Sequence, residues 1–186
     1  LKEAIHSYQR PKLENTLLKK QSKDRLFIDV SYLAFEDANT GIQRVIKELI
    51  SSLYALKEDC PYEVVVVHID PRSFKDPKMI LAKRVIESLG LNQAKKITDS
   101  YHEISFEKGD IFLMADATWG IDYTKFYPIF EKARKASVPI ITVVYDILPL
   151  TLNKKIIGNW LEGVFETWFR RVVKCSDGLL TISLSE

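Results

Sequence analysis

The sequence predicts a Rossmann-like α/β fold: a mostly parallel sheet with helices on both faces. Three observations predict it. Short apolar, β-branched runs such as Val64-Val65-Val66-Val67 and Ile111-Phe112-Leu113-Met114 read as strands covered on both sides. These runs alternate with segments whose apolar residues recur at helical spacing, the order expected of βαβ units. Polar loops follow the strands, and right-handed crossovers would gather those loops on one edge of the sheet. Ligands of such folds bind at that edge, near the point where strand order reverses.

Residues 1–24 are polar, basic and weakly periodic, and read as a linker or helical arm. Residues 25–186 read as one domain. Leu26-Phe27-Ile28-Asp29-Val30 opens it as a buried strand, and a polar loop leads to Asn39-Thr40-Gly41. Ile42, Val45, Ile46, Leu49, Ile50 and Leu53 then form one stripe of an amphipathic helix. Thr40 is a good N-cap, and Gly41 leaves room for close approach to the helix end. Strand, glycine turn and helix start together offer unpaired N–H groups to an anion.

Tyr62 to Ile69 is the second strand. Lys78 to Gly90 reads as a helix ended by its glycine, and Leu91 to Lys108 as a loop wandering over the surface. Asp110 to Ala115 is the third strand, followed by the loop Asp116-Ala117-Thr118-Trp119-Gly120 and a helix from about Tyr123 to Ala136. Val138 to Val144 is the fourth, with Pro139 near its start, where a missing N–H is tolerated. The loop Asp146 to Leu150, a long helix from about Lys155 to Lys174 and a last strand, Gly178 to Ser183, complete the order.

The 186 residues are 46% apolar and 28% charged, the balance of a soluble globular domain with a real core. A net charge of +2, from 27 basic and 25 acidic residues, leaves no basic excess of nucleic-acid size. No apolar run approaches the roughly 18 residues of a membrane span, and no signal peptide opens the chain. Two cysteines, Cys60 and Cys175, suggest no disulfide framework and fit a reducing compartment, so a cytoplasmic location is expected. His6, His68 and His102 share no metal-ligand spacing, and no metal or cofactor is expected. The absence of a Walker-type loop, of G-x-G-x-x-G and of G-x-S-x-G deprives hydrolase and dehydrogenase readings of their motifs. A start at Leu1 reads as a piece of something longer.

Four stretches together carry a family resemblance. They are Asp29-Val30-Ser31, Thr40-Gly41-Ile42-Gln43-Arg44-Val45, Val143-Val144-Tyr145-Asp146-Ile147-Leu148-Pro149-Leu150 and Ser176-Asp177-Gly178-Leu179-Leu180-Thr181-Ile182-Ser183. With them the chain, from about Arg25 to Glu186, resembles the N-terminal half of a GT-B glycosyltransferase of the family-4 type found in bacterial polysaccharide assembly. The third stretch is similar to the family's H-D-L-I-P-L loop and the fourth to its A-D-x-x-x-x-I-S strand. The resemblance implies one Rossmann-like domain of two, holding most of the acceptor site. A C-terminal domain, absent from this chain, would bind the nucleotide-sugar. The implied reaction transfers a sugar, with retention, to a hydroxyl of a growing bacterial surface glycan and needs no essential metal. The implied partners are a nucleotide-sugar donor and a glycan or lipid-linked acceptor. This fragment alone would be half an enzyme and inactive.

By the same resemblance, Thr40 and Gly41 face the donor phosphate and the acceptor across the cleft. Physical chemistry agrees, since N–H groups at a helix start stabilise charge growing on a departing diphosphate. Tyr145 stands where many relatives have histidine. It can donate a hydrogen bond to a sugar hydroxyl but is no proton shuttle near neutral pH. Asp146 could bind a sugar hydroxyl or accept the acceptor's proton, which makes Tyr145 and Asp146 the catalytic candidates. Asp116 and Trp119 suit a sugar as carboxylate and stacking ring, and Arg44 is a candidate for phosphate.

Each has a plainer alternative. Thr40-Gly41 can be a bare helix cap and Asp146 a turn cap before Pro149. Tyr145 can be a core tyrosine, Asp116 a turn former, Trp119 a core anchor and Arg44 a solvated charge. The long helix, with Lys154, Lys155, Arg170, Arg171 and Lys174 and with Trp160, Val164 and Trp168 four residues apart, fits either sheet packing or peripheral contact with an anionic inner membrane face. A non-catalytic α/β module that binds a glycan, phosphate or partner enzyme is the alternative function, because one fold hosts many chemistries.

Overall fold

The computed structural model of the protein describes residues 23–70, 73, 76–91, 103–145, 147 and 159–182, the side chains of 159–162 excepted. Among the described residues, six strands form one sheet: β1 (Arg25–Asp29), β2 (Glu63–Ile69), β3 (Met79–Leu81), β4 (Ile111–Met114), β5 (Ile140–Val144) and β6 (Gly178–Thr181). Their order is β3-β2-β1-β4-β5-β6, and every neighbouring pair is parallel except β2 with β3. In the centre, Ile28 lies opposite Val66 on one side and Leu113 on the other. Phe27, Ile28, Val65, Val66 and Val67 have no exposed surface, which explains their near-continuous apolar runs.

The helices are α1 (Ser31–Phe35), α2 (Gly41–Ala55), α3 (Lys83–Ser88), α4 (Tyr127–Lys135) and α5 (Asn159–Cys175). Chain order runs from β1 to β2 in one direction and from β4 through β5 to β6 in the other. Right-handed crossovers therefore place α2 on one face of the sheet and α4 and α5 on the opposite face. Ile46 and Ile50 bury the apolar stripe of α2, as its spacing predicts. A 3₁₀ turn, Tyr123–Phe126, leads into α4, with a proline in that helix's first turn, where no N–H is missed.

Three local expectations need correction. Residues 78–90 begin as a strand: Met79, Ile80 and Leu81 are all buried and pair antiparallel with β2 before α3 starts. Cross-strand burial against His68 and Ile69 outweighs helical propensity there. The glycine end does appear, with Gly90 at φ 65° just past Leu89. The described part of the loop before β4 does not merely wander. Phe106 lies edge-on to Phe27 at 5.2 Å and tilted on Phe112 at 5.5 Å, while Ile104 donates its N–H to the Met79 carbonyl. The last strand stops at Thr181. Of residues 1–24 only Lys23 and Asp24 are described; Lys23 Nζ donates to the carbonyls of Glu58 and Cys60, and the Asp24 carbonyl accepts from Glu63 N–H.

At the N-terminal edge of the sheet, Arg25 and Asp110 join β1 to β4. Nε and Nη2 of Arg25 donate to the two Asp110 oxygens at 3.1 and 2.6 Å, and the guanidinium lies over Phe27. Backbone N–H groups of Arg25 and Glu107 complete the carboxylate's partners.

Candidate functional site

The reversal of strand order falls between β1 and β4; Asp29 ends β1 opposite Met114, and Asp116 follows β4 two residues on, near enough for its charge to act on Asp29. Such an edge defines a doubly wound α/β protein with its ligand face at the strand ends. Both carboxyls are buried, Asp29 completely and Asp116 to 1% exposure. Ser31 Oγ donates to Asp29 Oδ1 at 2.5 Å and itself accepts from Ile69 N–H at 2.9 Å, tying β1 to β2. The other oxygen, Asp29 Oδ2, has no hydrogen-bond partner. Burial is the main force raising the Asp29 pKa well above the usual carboxylate value, and the nearby Asp116 charge adds to it against the Ser31 bonds. Burial therefore favours the protonated form of Asp29 more than it does for an exposed carboxyl.

Asp116 does a different job. Its oxygens accept from Leu33 N–H at 2.6 Å and Ala117 N–H at 2.7 Å, so a carboxylate sits at the first turn of α1. Burial raises its pKa as well, opposed by those N–H donors. At Gly120 the following turn lies so close to α1 that an added Cβ would stand 2.6 Å from the Tyr32 ring. Asp116 thus shapes the edge from within.

The helix start is built as the sequence suggests, and more firmly. Thr40 Oγ1 accepts from Gln43 N–H and Gln43 Oε1 accepts from Thr40 N–H, a reciprocal capping box. Gln43 is fully buried, and its Nε2 donates to the Glu36 carbonyl at 2.6 Å, fastening the loop below the helix. Thr40, Gly41 and Arg44 are exposed. The N–H groups of Gly41 and Ile42 have no acceptor inside the helix, and a Cβ at Gly41 would meet nothing within 4 Å. This corner is open to a ligand.

Tyr145 is buried, and its hydroxyl donates to the Ala115 carbonyl at 2.6 Å, which ties β5 to the end of β4. Burial, with the Asp116 charge behind it, raises the Tyr145 pKa. That is the geometry of a core tyrosine. Trp119 is half-buried against Phe165 and Trp168, with ring centroids 5.5 and 5.1 Å away. Trp168 Nε1 donates to Thr118 Oγ1, so Phe165 and Trp168 turn inward from α5 onto this turn. Asp146, Lys154 and Lys155 and the Trp160 side chain lie outside the described residues, as do His6 and His102.

The structure brings Asp116, Trp119 and Tyr145 to one edge and leaves Thr40, Gly41 and Arg44 on an open corner of that same edge. Sequence reasoning missed Asp29, Ser31 and Gln43 as structural parts of it. The Thr-x-x-Gln spacing was the available signal for Gln43, and the place of Asp29 in the buried opening strand was the signal for its burial. Among the described residues, no group of three or more His, Cys, Asp or Glu could hold a metal ion, and no helix is long and apolar enough to cross a membrane.

Comparison with known proteins adds one consistent resemblance. Three Escherichia coli proteins, each named serotype-specific mannosyltransferase WbdA, are 28%, 30% and 28% identical to the chain over 172 residues, 89% of its length. The chain spans only 18–19% of the length of these curated relatives. No family model matches it, and no solved structure matches it.

Proposed function

We propose that this chain is the acceptor-side domain of a retaining glycosyltransferase that adds sugar, mannose by analogy with the relatives' name, to a bacterial surface glycan. The observation that carries the reading is the similarity to mannosyltransferases along nearly the whole chain, joined to a strand-end edge where the α2 N-terminus is capped yet open. In this reading Gly41 and Ile42 N–H and the Arg44 guanidinium meet the phosphates of a nucleotide-sugar carried by another domain. Asp146 takes an acceptor or sugar hydroxyl. Asp116 and Tyr145 hold the edge in shape rather than react, since their polar atoms bond inside the protein.

The test uses the protein as its cells make it, supplied with nucleotide-activated mannose and a mannan acceptor. Gly41→Val leaves the fold intact, because its Cβ has open space, and is expected to cut transfer about a hundredfold by screening the N–H groups. Nuclear magnetic resonance of the product reads retention directly. Transfer that survives both Gly41→Val and Asp146→Ala would remove this site from the reaction. The internal bonds of Asp116 and Tyr145 favour a second reading, a glycan-binding module without catalysis; binding without transfer by the unaltered protein would select it.

A further inference from the structure

We propose that a groove beside this edge, between the turn after β4 and the flank of α5, is a subsite for one neutral pyranose ring of the glycan. The proposal rests on the glycosyltransferase reading for its choice of sugar, but the groove is separate from the α2 corner. It has a volume of about 250 Å³ and is walled by Trp119, Ile121, Tyr123 and Trp168, with Asp122, Thr167 and Arg171 among its polar residues. That is less than the pockets of drug-sized ligands and suits a single ring.

Its chemistry selects the occupant. Trp119 is a half-buried indole of the groove lining, braced by the tilted rings of Phe165 and Trp168, and an indole of this kind suits the C–H side of a sugar. Asp122 is exposed and its Oδ1 accepts from both the N–H and the hydroxyl of Thr124. Those two bonds, with Lys125 and Arg171 nearby, hold its carboxyl below the usual range, so it is an ionised acceptor. Arg171 and Thr167 supply donors to the same groove. An anionic ligand would meet the Asp122 charge and a cationic one the Arg171 charge. A neutral ring of hydroxyls can bond to both. The carboxylate that works with Trp119 is on this view Asp122, since Asp116 is buried and bonded to backbone.

Gly163 gives an independent sign. It lies inside α5, where glycine weakens a helix relative to alanine, and a Cβ there would meet nothing within 4 Å. No neighbour demands a glycine at this position. What its missing side chain does is leave the α5 wall of the groove open.

Titration of the protein with a mannose trisaccharide, followed by calorimetry and tryptophan fluorescence, tests the subsite. Saturable binding is expected, weakened roughly tenfold or more by Gly163→Leu, which fills the groove, and by Trp119→Ala. Circular dichroism should show Gly163→Leu melting no lower than the unaltered protein, which separates a filled groove from a damaged fold. Equal affinity in the Gly163→Leu variant, or no binding by the unaltered protein, overturns the subsite. Sugar transfer is measured alongside. Transfer without groove-dependent binding leaves the glycosyltransferase reading standing alone; groove-dependent binding without transfer keeps the subsite and removes the enzyme.

Discussion

The two edges of the sheet treat buried carboxylates in opposite ways. At the N-terminal edge Asp110 has Arg25 across from it and every oxygen bonded. At the C-terminal edge Asp29 and Asp116 are buried near one another with no basic partner among the described residues, and one Asp29 oxygen is left unbonded. The first arrangement offsets desolvation by charge pairing; the second leaves the desolvation to act, and it raises both pKa values. An edge built only to hold strands together resembles the first. The edge that carries the open α2 corner has the second, which fits the tendency of functional sites to tolerate local polar strain.

Breaking the paired edge should have the largest effect. Arg25→Met keeps the stem over Phe27 but strands the Asp110 charge, and should cost about 3 kcal/mol, the low end for a broken buried pair because Arg25 is 19% exposed. Chemical denaturation measures it. Asp116→Ala should cost less, about 2 kcal/mol, because two backbone N–H groups lose their acceptor while a costly buried acid disappears. A loss from Asp116→Ala larger than that from Arg25→Met would make the unpaired edge the stronger brace and reverse the comparison.

At low pH Asp29→Asn should have the smallest effect of the three, and it should have the clearest pH signature. The folded pKa of Asp29 is raised above its unfolded value near 3.9. Below about pH 4 the acid is neutral whether folded or unfolded, so variant and parent should agree within about 1 kcal/mol. As pH rises from there toward the folded pKa, only the unfolded chain releases this proton, and the parent loses stability that the asparagine variant keeps. The melting-temperature difference should therefore widen with pH from about 4 upward. A difference that stays flat to pH 8 would mean that a hidden partner neutralises Asp29.

How much of this was legible beforehand differs between residues for physical reasons. The strands of Val64 to Val67 and Ile111 to Met114 were legible because burial on both faces imposes an apolar residue at every position. The α2 start was legible because a cap is local, set by Thr40 and Gln43 three residues apart. The strand Met79–Leu81 was not, since three apolar residues fit either a helix or a strand and only the pairing with β2 decides between them. Asp116 and Tyr145 carried the right residue types for a ligand, yet their bonds run to Leu33 and Ala115. Those partners are 83 and 30 residues away in sequence.

By itself, then, the sequence determined the α/β class, the chain order of the main elements and the edge on which loops collect, because periodicity, caps and glycine turns act over a few residues. Only the tertiary structure decided which polar groups on that edge face solvent and which bond inward. It also brought Trp119, Asp122, Gly163 and Arg171 around one groove, a meeting of α5 with the turn after β4 that no local pattern records.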